Sequence, residues 1–269
     1  MTVPRTTAII TSFLLLLLPG CEVQGPSPES VPERVAGAEP DYSAWSELLS
    51  KYRTGSGMDY AALAASDGAA LDTLRTEMAK VDVDALTEDE QLAYWINLYN
   101  ISTVGIVTEH YPVDSIRDIS TDPVRRLNVF KSDLVPFQGG TISLDTIENE
   151  HVRKLGDARI HFAINCAAES CPPIRAEPFS GDRIDQQLDE QTRAFLNGPN
   201  GVTVEQTNGA VRVHTTKIME WFAEDFDQAG GALAFIRRYL DPGEASKIAG
   251  DAEIVYDDYS WKLNDSTRN

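Results

Sequence analysis

The stretch "HFAINCAAESCPPI", residues 161–174, holds the densest chemistry in the chain. His161 heads an apolar run, Cys166 and Cys171 follow five apart, and Pro172-Pro173 closes the block. A thiol near an imidazole can serve as a nucleophile once the imidazole takes its proton. Two thiols at this separation can instead close a small ring, worth about 2 kcal/mol through the freedom it removes from the unfolded chain. Redox cycling fits less well, because thioredoxin-like pairs are spaced by two residues. A structural zinc ion wants four nitrogen or sulfur ligands. His161, Cys166 and Cys171 supply three, so neither a metal nor another cofactor is expected. A structural disulfide leads these readings, and thiol catalysis is its rival.

Periodicity suggests that "ARIHFAIN" (158–165) is a short buried strand, on which alternate side chains share a face. His161 and Asn165 then point one way and Cys166 the other. On that geometry His161 cannot meet Cys166, and a thiol mechanism uses Cys171, beyond the turn "AAES", with His161 as its base. A closed Cys166–Cys171 bond places Glu169 and Ser170 of that turn near His161. These two, with Asn165, are candidate binding residues.

The element that must support this block is "TEDEQLAYWINLYNISTVGIVTEHYP". Thr87 with Glu90 forms a capping box and acids fill the first turn. Pro112 stops the helix. Leu92, Trp95, Leu98, Ile101, Val104 and Val107 leave no polar stripe, so the helix is expected in the core. Asn97 and Asn100 nonetheless sit three apart on it. A buried amide without a partner costs about 1–3 kcal/mol. The pair either pins neighbouring loops or lines a cavity, with Asn97 a candidate orienting or oxyanion group and Asn100 a candidate binding group.

Around this helix, "DYSAWSELLSKYR" and "ALDTLRTEMAKV" read as amphipathic helices. "NVFKSDLVPFQGGTISLDTIENEHVRKL" reads as two short strands around Gly139-Gly140 and then a helix opened by Ser143 or Asp145. "IDQQLDEQTRAFLN" is a helix ended by Gly198, and "VTVEQTNGAVRV" is a hairpin turning at Asn208-Gly209. "KIMEWFAEDF" and "ALAFIRRYL" are helices, and "AEIVYDDYSWKLN" gives a last strand. Strands without regular βα alternation indicate an α+β fold: a small, mainly antiparallel sheet packed with several helices, one of them long and buried.

The chain opens with Arg5 and an apolar run from Ala8 to Leu18, too short to span a bilayer but of the length of a secretory leader. It closes on "LLPGC", which resembles a bacterial lipobox; the alternative is an ordinary leader with a chance cysteine. Residues 1–20 are therefore expected to be a signal peptide and Cys21 a lipid-bearing N-terminus. Residues 21–40, rich in proline, form a disordered tether, and 41–269 form a single domain. The expected location is extracytoplasmic, on a bacterial membrane, in a compartment where thiols pair. Lysine and arginine number 23 against 42 acids, a net charge of -19. That excess disfavours nucleic acid and anionic headgroups. It leaves a cationic or neutral small molecule or a peptide as partner, with membrane contact only through the lipid.

Five blocks in order, "AYWINLYN", "SLDTIENEHVR", "ARIHFAINCAAESCPPI", "KIMEWFAEDF" and "YSWKLN", resemble the domain of unknown function 547. The resemblance spans residues 93–264 and implies no established activity. The family usually carries histidine directly after "IE", where this chain has Asn149; His151 lies two residues on. The family's closing Tyr-Asp-Trp is here Tyr259-Ser260-Trp261. An aspartate that orients a base in relatives would be replaced here, if at all, by Asp257 or Asp258. Trp261 is the aromatic residue this resemblance marks as a binding candidate; Trp45, Trp95 and Trp221 read as core. A buried helix packed on strands bearing histidine also resembles papain- and transglutaminase-like thiol hydrolases, although the helix here offers asparagines where those enzymes place cysteine. Fold alone does not fix function. Two functions stay open: a ligand-binding or structural envelope module with a disulfide-shaped loop, and a thiol hydrolase or transferase acting on an amide or ester.

Overall fold

A computed structural model describes residues 39–55, 57–120, 128–248, 250 and 252–268. The chain divides into two units, Met1–Val35 and Ala36–Asn269, and the described residues belong to the second. The leader, Cys21 and nearly all of the tether lie outside them.

Helix α1 (Ser43–Tyr52) buries Trp45, Leu48, Leu49 and Tyr52, the residues its periodicity singles out. Strands β1 (Arg53–Thr54) and β2 (Gly57–Met58) turn the chain back. Helix α2 (Tyr60–Ser66) starts where the Asp59 carboxylate accepts the Ala62 N–H. Helix α3 (Gly68–Met78) then lies along α4 (Glu88–His110). The capping box is present: Thr87 Oγ accepts the Glu90 N–H, and the Glu90 carboxylate accepts the Thr87 N–H at 2.8 Å. Every residue of α4 from Leu92 to Thr108 is buried. Removing so much apolar surface from water stabilises the fold by about 25 cal/mol per Å².

A hairpin of β3 (Val135–Phe137) and β4 (Gly140–Ile142) leads to α5 (Leu144–Thr146). Ser143 rather than Asp145 opens that helix, its hydroxyl accepting the Thr146 N–H at 3.0 Å. The chain then widens into a π-helical turn, Ile147–Val152.

The next element differs from the expected strand. Ala158–Phe162 forms a 3-10 helix, opened by the Asp157 carboxylate, which accepts the Arg159 N–H at 2.9 Å. A strand needs a neighbouring edge to pair with, and this segment pairs instead with a side chain. Asn100 Nδ2 donates to the Ala163 carbonyl at 2.9 Å, and Asn100 Oδ1 accepts the Asn165 N–H at 2.8 Å.

Helix α6 (Ile184–Leu196) follows, and β5 (Thr203–Thr207) pairs antiparallel with β6 (Ala210–Thr215). Their turn uses left-handed Asn208 (φ 52°) and Gly209 (φ 85°), as a tight hairpin requires. "KIMEWFAEDF" is broken at Phe222 into α7 (Ile218–Trp221) and α8 (Ala223–Gln228), and α9 (Ala232–Tyr239) comes next. The last strand, β7 (Glu253–Tyr256), pairs parallel with β6, so this three-stranded sheet is mixed while the smaller pairings are antiparallel. The architecture is α+β. One apolar cluster surrounds α4; a second gathers Phe162, Phe195, Phe226 and Phe235 beside the sheet.

Beyond β7 the chain returns to the cysteine loop. Glu169 N–H donates to the Lys262 carbonyl at 2.8 Å, Asn264 N–H to Ala167 at 3.0 Å, and Met58 N–H to Asn264 at 3.0 Å. The final segment is thus wedged between β2 and the loop. It passes so close to Gly57 that an added Cβ would stand 2.1 Å from the Asn264 carbonyl oxygen.

Candidate active site

A cavity of about 220 Å³ is lined by His161, Ile164, Cys166 and Cys171, by Tyr99, Asp145 and Glu148, and by the aromatic side chains of Trp221, Phe222, Tyr259 and Trp261. The 3-10 turn presents His161, only 2% exposed, from the floor. Its Nε2 lies 2.7 Å from Asp225 Oδ2 on α8. Arg153 grips the same carboxylate with Nε at 2.7 Å and Nη2 at 2.8 Å, and its Nη1 reaches Asn149 Oδ1 at 2.8 Å. Phe222 stacks on the imidazole with ring centres 3.9 Å apart, and the Arg153 guanidinium lies over Phe222 at 5.2 Å. The ring is therefore held on an edge and a face.

Burial lowers the His161 pKa below its ordinary value, although Asp225 pulls the other way. Arg153, and then His161, hold Asp225 far below the usual carboxylate range. A neutral imidazole beside a fixed carboxylate keeps its proton on Nε2. Nδ1 is left with a lone pair and has no hydrogen-bond partner.

Both cysteines are free, Cys166 partly exposed and Cys171 buried. Their sulfurs are 2.8 Å apart, against about 2.05 Å in a disulfide. The expected bond is not closed in this structure; an S–H bridges the two sulfurs. Cys166 N–H donates to Cys171 Sγ at 2.9 Å, and the Tyr259 hydroxyl sits 3.1 Å from Cys166 Sγ. Burial opposes ionisation of Cys166, but hydrogen bonds from Cys171, Tyr259 and the Ala168 N–H outweigh it and hold this thiol below its ordinary pKa. Cys171 is pushed well up by burial and by the neighbouring Cys166. The more readily ionised and more accessible thiol is Cys166. It precedes Ala167, a left-handed residue (φ 61°) of the kind that costs about 1 kcal/mol and recurs at functional sites. Asn165 Oδ1 accepts the Ala167 N–H at 2.8 Å and holds that turn.

Glu148 comes from the π-helical turn, a local widening often found at functional sites. Burial raises its pKa to about 7, against the pull of Arg153. Tyr99 of α4 is hydrogen-bonded to it, and that phenol is itself pushed well up by burial. At the mouth, Trp221 is 46% exposed, and its ring centre lies 4.8 Å from Tyr259 and 5.9 Å from Trp261.

His161, Cys166, Cys171 and Trp261 thus meet at one cavity. The other candidates brace it from outside its lining. Asn97 Nδ2 donates to the Phe179 carbonyl at 2.7 Å and its Oδ1 accepts the Phe179 N–H at 3.0 Å. Asn100 pins residues 163–165, and Asn165 Nδ2 donates to the Pro172 carbonyl at 2.6 Å. Glu169 and Ser170 turn to the terminal segment, where Glu169 accepts from Ser260 Oγ at 3.0 Å and Ser170 Oγ accepts the Ser260 N–H at 2.9 Å. Ser260, in the place of the expected aspartate, secures the loop. The carboxylate that orients His161 is neither Asp257 nor Asp258 but Asp225; Asp257 lies 3.2 Å from His214. His151 stacks on Trp95 at 3.8 Å, away from the cavity. Among the described residues, no group of three or more histidine, cysteine or acidic side chains is placed to hold a metal ion.

Residues 83–196 match the family described as "Protein of unknown function, DUF547". This stretch is a DUF547 domain. The match covers Tyr99, Glu148, His161 and both loop cysteines. Trp221, Tyr259 and Trp261 of the cavity, and Asp225 on His161, follow the DUF547 segment in the chain. No curated protein and no solved structure matches. Sequence reasoning passed over Glu148, Tyr99 and Asp225 although all three lie in the blocks that resemble DUF547. An acid in "EWFAEDF" with no other assignment was the available signal for Asp225.

Proposed function

We propose that the cavity is the active site of a thiol hydrolase or transferase acting on an amide or ester bond. Cys166 is the nucleophile, in place of the Cys171 that strand geometry favoured. His161 is the base, and Asp225 orients it. One observation carries the reading: the ionisable thiol and a buried histidine share a cavity, the histidine having a carboxylate on one nitrogen and a free lone pair on the other. In the reaction His161 Nδ1 takes the Cys166 proton as sulfur attacks the acyl carbon. The Tyr259 hydroxyl donates to the developing oxyanion. The amine or alcohol departs with the proton from His161, and water or a second nucleophile then releases the acyl group and restores the thiol.

p-Nitrophenyl acetate tests this. In reduced protein it should acylate Cys166, in wild type and in Cys171→Ser alike, and His161→Ala should slow the reaction by about 10²-fold or more. Acylation at Cys171 alone, or none at either thiol, would falsify the assignment.

A second reading is favoured by the 2.8 Å approach of the sulfurs. It makes the protein an exported lipoprotein, held to a bacterial membrane by Cys21, whose cavity binds a small molecule or peptide beneath a loop closed by a Cys166–Cys171 disulfide. The leader and lipobox support export, and an exported pair of neighbouring thiols tends to oxidise. Intact mass after alkylation separates the readings in protein recovered without reductant. Two added alkyl groups support the thiol enzyme; none without reductant and two with it support the staple.

A further inference from the structure

The proposed thiol chemistry needs a substrate, and the carboxyl groups lining the cavity have no lining cation beside them among the described residues. Asp145 and Glu148 contribute carboxylates, and neither forms an ion pair among the described residues. Arg153, the cation that acts on Glu148, is committed to Asp225 and Asn149. Among the described residues, no lysine or arginine lines the cavity. His161 adds an acceptor rather than a donor: its Nε2–H is spent on Asp225 and its buried Nδ1 has no partner. Trp221, Tyr259 and Trp261 line the same cavity. The ring faces of such residues attract cations, and Trp261 already carries the Arg117 guanidinium at 5.0 Å.

We propose that the cavity binds the ammonium group of an amine-bearing substrate, between the Asp145 and Glu148 carboxylates and the aromatic side chains at the mouth. A carboxylate or phosphate ligand would meet two acids and a lone pair, with no lining cation among the described residues to offset its charge. An ammonium group supplies three donors to acceptors that otherwise face one another. The inference rests on the thiol reading only in taking the same cavity, and binding can be measured without any bond being broken.

The groups around Glu148 are Tyr99, Asp145, Arg153, Asp225 and Cys166. A cation arriving there favours the charged carboxylate, so binding releases a proton from Glu148 wherever that group is still protonated. Affinity for an amine should therefore fall several-fold between about pH 8 and about pH 5.5, as Glu148 takes up its proton.

The experiment is calorimetric titration of the full, reduced chain with n-pentylamine, 1-pentanol and pentanoate. It is repeated in Cys166→Ser, so that loss of thiol chemistry cannot be mistaken for loss of binding. The amine should bind about ten-fold or more tightly than the alcohol, the worth of a charge-assisted hydrogen bond, and pentanoate should bind more weakly than either. Asp145→Asn combined with Glu148→Gln should abolish the preference while leaving the alcohol unchanged. Equal or stronger binding of pentanoate, no binding of any probe, or a preference that survives the double substitution overturns the proposal. Should the double variant fail to fold, wild type decides: an amine preference unchanged between those two pH values also overturns it. Binding in Cys166→Ser with no acylation of wild type would leave the amine site standing and remove the thiol reading.

Discussion

Glu148 sits near half-protonation at neutral pH because burial of its carboxyl in the wall of the cavity raises its pKa. Its pKa rises from 4.5 in the open chain to about 7. The sign of the linkage follows: the protonated form is favoured by folding, so the contribution is full below about pH 4.5 and is lost as pH rises through about 7. The whole shift corresponds to about 3 kcal/mol, and partial contact with solvent reduces this to about 2. Glu148→Gln should thus be more stable than wild type by about 2 kcal/mol at pH 8 and indistinguishable from it at pH 4, read from urea denaturation. The same difference at both pH values would mean that packing rather than ionisation sets it. Glu148 could not be singled out from sequence because nothing in "TIENEHV" says which acid turns inward; the π-helical turn decides that. The His161–Asp225 contact joins residues 64 apart, a pairing that no local pattern displays. The identity of the ionisable thiol was hidden for another reason. It depends on Tyr259, which reaches Cys166 from near the end of the chain.

At the scale of elements, α4 is an internal post that sets the loops on either side of it. Its capping box, length and burial were all legible, because cap chemistry and an apolar surface on every face are local properties. The same locality explains the mistaken strand at 158–165: a short apolar run reads alike as strand or as tightly wound helix. What distinguishes them is whether a sheet edge is available, and here Asn100 occupies that role. Asn100→Leu removes both hydrogen bonds and orphans the Ala163 carbonyl and the Asn165 N–H. A loss of about 2–4 kcal/mol is expected in chemical denaturation. A variant as stable as wild type would show that water or a rearranged loop replaces the amide. Gly57 poses a packing problem between elements. Gly57→Ala forces a Cβ against the Asn264 backbone and should cost about 1–3 kcal/mol, with faster alkylation of Cys166 as the terminal segment lifts from the cysteine loop. Unchanged thiol reactivity in a destabilised Gly57→Ala would separate that segment from the site.

At the scale of the molecule, the α+β class was readable from the mixture of capped helices, hairpin signals and single strands without βα alternation. The parallel pairing of β7 on β6 was not, since strand order depends on how α7, α8 and α9 pack between them. The acidic surface, net charge -19, agrees in sign with the cavity. No described helix is long and apolar enough to cross a membrane, and the proposed attachment runs through Cys21 alone. Cys21→Ala should then move the protein from the membrane fraction to the soluble fraction and end incorporation of labelled palmitate; continued labelling would exclude that anchor. The wedging of residues 262–266 between β2 and the cysteine loop also sets an order of assembly. The loop cannot take its final shape until residues 262–266 have been made. A polypeptide emerging from the ribosome or through a translocation pore therefore carries both thiols without the segment that braces their loop until those residues follow. Products cut short before residue 262 should carry the thiols without the braced loop, so maturation of the site waits on a segment made long after the cysteines themselves.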